Sequence, residues 1–179
     1  MQKSTRHAEQ PSVLSIRSAA DNPQRTALQR GAQLQGVDIS RLADEVLVQF
    51  ADVMARQNIK KTIDIPARAQ VTADDQMLRS ALCHLVQNAL QAMPDGGELV
   101  VTGVACGDGF ELEIADSGPG LPDAKTFFDQ ARNTAGGSGL SVIQQVADAH
   151  GGYVTAANCP EGGAAVTLYL PSRALKAAA

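Results

Sequence analysis

Apolar residues recur at three- and four-residue steps between positions 78 and 93, where Leu78, Leu82, Leu85, Ala89 and Met93 form one stripe. Ala81, His84, Asn88 and Gln91 form a second stripe rotated away from it. The spacing predicts a helix with one face for packing and one face open to chemistry. Thr72 with Asp75 three positions later reads as a capping box at its start, and Pro94-Asp95-Gly96-Gly97 stops it. A second helical face, Ile39, Leu42, Val46, Phe50, Val53 and Met54, predicts one helix over 38–58 with Asp38 or Ser40 as cap. A third, Leu140, Ile143, Val146 and Ala147, runs to His150 and ends at Gly151-Gly152.

Alternation replaces that period between the helices. A strand is expected over 60–65, ended by Pro66, and a short one around Val71. Strands over 98–106 and 110–116 are joined by the hairpin signal Gly107-Asp108-Gly109, with Phe110, Leu112 and Ile114 on one face and Glu111 and Glu113 on the other. Two more, 153–158 and 165–170, flank the turn 159–163, and 121–135 has only weak periodicity, as a loop does. This order implies a two-layer α/β sandwich, with a mixed sheet and helices stacked on one of its faces. Residues 1–36 mix polar side chains with Pro11 and Pro23 and read as a tail, linker or truncated upstream segment; 172–179 read as a frayed C-terminal tail.

Composition narrows the setting. A chain of 179 residues that is 44% hydrophobic suits one domain with a proper core. No apolar run is long enough to span a membrane, and the polar start is no secretory signal, so no membrane contact is expected. Cys83, Cys106 and Cys159 are odd in number and lack metal-type spacing, which fits a reducing cytoplasm. The net charge of −4 argues against a backbone-binding nucleic-acid surface, so no nucleic-acid partner is expected. Charge is also uneven: five basic and two acidic side chains in residues 1–36 leave −7 for the remainder.

Candidate chemistry sits at three places. Asn88, at the middle of its helix, has an amide able to offer oxygen to a divalent metal or nitrogen to a phosphate, although most mid-helix asparagines are simply solvated. Asp116-Ser117-Gly118-Pro119-Gly120 closes a strand into a glycine turn. A carboxylate fixed there can accept from the exocyclic amine of adenine while Gly118 and Gly120 let backbone approach the ring; a plain surface turn is the competing reading. Gly136-Gly137-Ser138-Gly139-Leu140 opens a helix, so the amides of Gly137, Gly139 and Leu140 and the Ser138 hydroxyl are candidate phosphate donors, against a merely flexible loop.

In that order, the three stretches resemble the ATP-binding catalytic domain of bacterial two-component sensor histidine kinases, within the GHKL ATPases that include DNA gyrase, MutL and a heat-shock chaperone. HLVQNALQAM (84–93) is similar to that family's N box, DSGPG (116–120) to its first glycine box and GGSGL (136–140) to its second. The likeness runs over 37–171, from VDIS (37–40) through AHGG (149–152) to GGAAVTLYLP (162–171). It implies the Bergerat-type sandwich, with a mostly antiparallel sheet and about three helices. It also implies ATP and magnesium as ligands, with Asn88 holding the metal, Asp116 reading adenine, and a lid over 121–135 in which Arg132 can reach a phosphate. The implied partners are a histidine-bearing dimerisation domain and a response regulator.

Departures from the family pattern carry information. Ser141 stands where another glycine is usual, and 131–134 keep little of the F box that Phe128-Asp129 begins. Hydrolysing members carry a glutamate one turn before the box asparagine; here it is His84, a candidate base or a half-exposed structural histidine, so poor hydrolysis is expected. The upstream His7 lacks an adjacent acid and reads as a tail residue rather than a phosphoacceptor. The leading reading is therefore the donor half of a histidine kinase. A nucleotide-binding regulatory or scaffold module without phosphotransfer is the alternative, and a serine kinase of the anti-sigma type is disfavoured by His84.

Overall fold

The computed structural model of the chain describes residues 14–16, 31–121 and 139–172. Within them, β1 (Leu14–Ile16), β3 (Ile59–Asp64), β5 (Gly97–Cys106), β6 (Gly109–Asp116), β7 (Tyr153–Asn158) and β8 (Ala164–Pro171) form a six-stranded sheet in the order β1-β7-β8-β6-β5-β3. Only β3 and β5 run parallel; every other pairing in this sheet is antiparallel. A small second sheet pairs β2 (Gln35–Asp38) with β4 (Gln70–Ala73). The helices are α1 (Ile39–Gln49), the short α2 (Ala51–Arg56), α3 (Asp75–Ala92) and α4 (Gly139–His150).

Alternation along the strands decides which sheet face is covered. Leu99 and Val101 on β5, Phe110, Leu112 and Ile114 on β6, Val154 and Ala156 on β7 and Leu168 and Leu170 on β8 are buried, and α1, α3 and α4 pack on them. The opposite face carries Glu111, Glu113 and Thr167 and meets solvent. The two-layer sandwich expected from the sequence is the fold observed.

Central helix α3 packs on both the sheet and α4, so its buried face is wider than one stripe: Ala81, Val86 and Leu90 join Leu78, Leu82, Leu85 and Ala89 in the core. Ala81, expected on the open face, is therefore a packing residue. The cap also differs from expectation, because Thr72 lies within β4. Asp74 caps instead, its Oδ1 accepting from the Met77 amide at 3.1 Å. At the other helix start the alternatives resolve to Asp38, which accepts from the Arg41 amide. The single helix expected over 38–58 is two, because the chain leaves helical geometry at Phe50 (φ −99°, ψ 4°).

Part of the stretch read as a tail, linker or truncated upstream segment contributes strands. Leu14–Ile16 adds an edge strand to β7, and the expected boundary between 36 and 37 falls inside β2. Pairing partners more than a hundred residues away left no local signature for β1. Gln33 donates its backbone N–H to Asp74 Oδ2 at 2.8 Å, joining this region to the start of α3. His150, 2% exposed, completes the same junction: its Nε2 accepts from the Asp74 N–H at 2.9 Å and its Nδ1 donates to the Val146 carbonyl at 2.7 Å. Those roles assign the neutral Nδ1–H tautomer and tie the end of α4 to the start of α3.

Candidate functional site

Asp116 ends β6, paired in register with Leu99 of β5 on one side and Ala164 of β8 on the other. Its backbone is fixed by the sheet while its side chain leaves the last rung. Gly118 donates its backbone N–H to Asp116 Oδ1 at 2.9 Å, which orients the carboxylate. Burial pushes this carboxyl above the usual aspartate range, and hydrogen bonds from the Gly118 and Ala164 backbones oppose that push. The turn is held from the β5 side too: Ser117 N–H donates to the Glu98 carbonyl at 3.1 Å, and Ser117 Oγ accepts from the Glu98 N–H at 2.9 Å.

The carboxylate borders a cavity of about 100 Å³ between α3 and the sheet. Leu85, Ala89 and Ala92 of α3, Ile114, Ala164 and Val166 of the sheet, and Leu121 make an apolar slot, with Asn88, Asp116 and Gly120 as its polar rim. A flat heteroaromatic ring with a donor at its edge suits such a slot, since apolar walls take the ring and the carboxylate takes the donor. Two larger hollows, about 530 Å³ beside Gly31 and Asp74 and about 320 Å³ beside Arg41 and Arg79, are lined mostly by polar residues of the small sheet, the segment before it and the starts of α1 and α3. Neither gathers a candidate residue, so size alone misdirects here.

Asn88 is half-buried at this cavity, and its side chain makes no hydrogen bond to another described residue. One turn earlier His84, also half-buried, lies against Gly139: a Cβ on that glycine would stand 3.1 Å from His84 Nδ1. The open face of α3 thus leads from the first residue of α4, where the helix dipole is positive, to the slot beside Asp116. Leu140, read both as a phosphate-facing amide and as the start of an apolar helical face, packs its half-buried side chain against the core. Gly137, Ser138 and Arg132 lie outside the described residues, as does most of the expected lid.

Among the described residues no group of three or more metal-ligating side chains exists. Magnesium does not need one, because it keeps several waters and binds through one or two protein oxygens plus phosphate. The side-chain amide of Asn88, bonded to no other described residue, fits that demand.

Two participants escaped the sequence reading. Gly163, read as part of a turn, has φ +89°, and a Cβ there would stand 1.8 Å from the Asp116 carbonyl oxygen. Its pairing with Gly162 was the available signal for a close backbone approach. Asn158, read as a strand residue, hydrogen-bonds Leu121 at the rim of the slot. Nothing local marks it, since its partner is 37 residues away.

Residues 73–174 match the family described as histidine kinase-, DNA gyrase B-, and HSP90-like ATPase. The chain is 32% identical over 149 aligned residues to the adaptive-response sensory kinase SasA of Prochlorococcus marinus (strain MIT 9313), covering 76% of this chain and 40% of that protein. It is 31% identical over 144 residues to the sensor histidine kinase ZraS of Klebsiella oxytoca, covering 76% of this chain and 31% of that one. It therefore spans about two fifths or less of the length of these curated relatives. Among solved structures, the catalytic domain of histidine kinase ThkA superposes with a TM-score of 0.72 at 24% identity, over 78% of this chain and 96% of that one. A mycobacterial sensor histidine kinase, MprB, superposes with a TM-score of 0.65 at 27% identity, over 79% and 99%.

Proposed function

The chain belongs to the histidine kinase-, DNA gyrase B- and HSP90-like ATPases, and we propose that it is the donor half of a two-component protein-histidine kinase. In this reading it binds ATP with magnesium and passes the γ-phosphoryl group to a histidine on a separate dimerisation segment. The observation that carries the reading is the half-buried Asp116 carboxylate, oriented by the Gly118 N–H beside an apolar slot that Asn88 also lines. Kinship with SasA and ZraS supports the choice of histidine kinase within the family. The complex of ThkA with the response regulator TrrA supports a response regulator as downstream partner. No helix among the described residues is long and apolar enough to cross a membrane, and we place the activity in the cytoplasm.

Each residue then has a physical task. Asp116 accepts from the exocyclic amine of adenine, and Leu85, Ala89, Ile114 and Leu121 enclose the ring, excluding water that would compete for that bond. Asn88 offers one oxygen to magnesium, which neutralises charge on the phosphate oxygens when bound. Gly139 and Leu140, with Gly137 and Ser138 ahead of them, offer backbone amides to the phosphates at the positive end of α4, and Arg132 adds a cation. Phosphoryl transfer is chiefly positioning and charge stabilisation, so such a site stays idle until a nucleophile is brought into line. Water is a poor nucleophile here, because the position that holds a glutamate in hydrolysing relatives is His84, lying against Gly139. His150 is no acceptor either, being buried with both ring nitrogens engaged.

The test is an incubation with γ-labelled ATP, with and without a histidine-bearing helical dimer, followed by acid. The expected result is slow phosphate release by the chain alone and acid-labile label on the added dimer. Rapid release without a partner would identify a hydrolase. Tight ATP binding with no transfer to any cognate dimer would support the regulatory module, the reading that Ser141 in place of a family glycine favours.

A further inference from the structure

Asn158, the last residue of β7, grips the backbone of Leu121 with both ends of its amide. Its Oδ1 accepts from the Leu121 N–H at 2.6 Å, and its Nδ2 donates to the Leu121 carbonyl at 3.0 Å. A single side chain thus supplies the pair of bonds that a neighbouring strand would make. The residue before the grip, Gly120, has φ +81°, and a Cβ there would stand 2.8 Å from Asn158 Oδ1, so the grip closes only over glycine.

The anchor of this grip is the rung that carries the adenine-reading carboxylate. Asn158 pairs with Ala164, and Ala164 pairs with Asp116. One end of the rung sets the carboxylate, and the other end holds Gly120 and Leu121, which border the same slot. We infer that Asn158 is a positioning residue for adenine recognition, fixing the Leu121 wall in register with Asp116 before ligand arrives. It touches no ligand itself. A wall already ordered loses less freedom on binding, so the clamp raises affinity without adding a contact. The inference rests on the nucleotide reading given above.

The experiment compares wild type with Asn158→Ala and Asn158→Asp by calorimetric titration with ADP and with inorganic tripolyphosphate, alongside amide hydrogen exchange at Leu121 without ligand. Asn158→Ala is expected to speed Leu121 exchange and to weaken ADP by about three- to tenfold, the scale of one or two exposed hydrogen bonds. Tripolyphosphate binding and the melting temperature should stay at wild-type values. Asn158→Asp, which keeps the acceptor and loses the donor, should fall between the two. Unchanged Leu121 exchange in Asn158→Ala would remove the clamp itself. Faster exchange with unchanged ADP affinity, or an equal loss for tripolyphosphate, would overturn the positioning role. A wild type that binds no ADP would instead overturn the nucleotide reading, a failure distinguishable because Leu121 exchange reports the clamp without any nucleotide.

Discussion

The two faces of α3 are made from one stretch of chain and do opposite work. On one, Leu78, Leu82, Val86 and Leu90 are buried in the core, so removing an atom leaves a void. On the other, Asn88 is half-buried and borders the slot together with Leu85 and Ala89, and His84 is half-buried beside Gly139. The difference teaches that burial against protein and burial at the edge of a cavity have separate consequences. Substitutions on the first face should act on stability and reach ligand binding only through it, whereas those around the second should act on ligands and leave the fold alone.

The largest effect expected is on the packing face. Leu82 is 1% exposed, and Leu82→Ala should destabilise the fold by about 2–5 kcal/mol, read from urea unfolding. If the midpoint hardly moves, the buried face is not the fold's main support and the contrast fails.

Asp116→Asn tests the open side most sharply. Replacing a charge-assisted acceptor should weaken ATP by about ten- to a hundredfold, with calorimetry as the readout. Because burial raises the Asp116 pKa, its protonated form is favoured by folding. The apo protein therefore loses stability as pH rises from the unfolded value of 3.8 through the higher folded one, and at neutral pH carries the full penalty of the charge. Asn removes that penalty, so apo melting at neutral pH should hold or rise slightly as ATP binding falls. The same shift predicts that wild-type ATP affinity declines on acidification at a pH above the ordinary aspartate range. A variant that loses melting temperature and affinity together would make Asp116 a structural residue.

Asn88→Ala should be milder, lowering the magnesium-dependent gain in ATP affinity by about tenfold, as for one ligand in a shell mostly of water and phosphate. Identical magnesium titrations in wild type and variant would leave Asn88 a mere rim amide.

The smallest effect should come from the charged seam joining α1 to α3, where Glu45 bonds both Arg41 and Arg79 at 2.7 Å. Those bonds, Arg41 first, hold the Glu45 carboxyl below its usual range. Yet Arg41 is 79% exposed, and solvent screens the pair. Arg41→Ala should leave both melting and ATP affinity unchanged. A clear loss of either would show that the division between the faces of α3 omits a third contributor.

The sequence by itself determined the period of each element, the sandwich and the three boxes, because those depend on neighbours a few residues apart. The stripe through Leu78, Leu82 and Leu85, the Gly107-Asp108-Gly109 hairpin and the stop at Gly96-Gly97 are signals of that kind. Where two local solutions were nearly equal, tertiary contacts chose. Thr72 lost the cap to Asp74 because β4 pairs through Thr72 with Gly36, while Asp74 meets both Gln33 and His150. Leu14–Ile16 became a strand because β7 offered a free edge, which a tail sequence cannot reveal. The assembly of the slot was also a tertiary outcome. Asp116 and Asn88 come to line one cavity only after β6 docks on α3, and the rung through Ala164 brings Asn158 to Leu121. Local periodicity encodes which face of an element is apolar, but the groups that meet across a cavity are set by strand order and register, and those involve residues far apart in the chain.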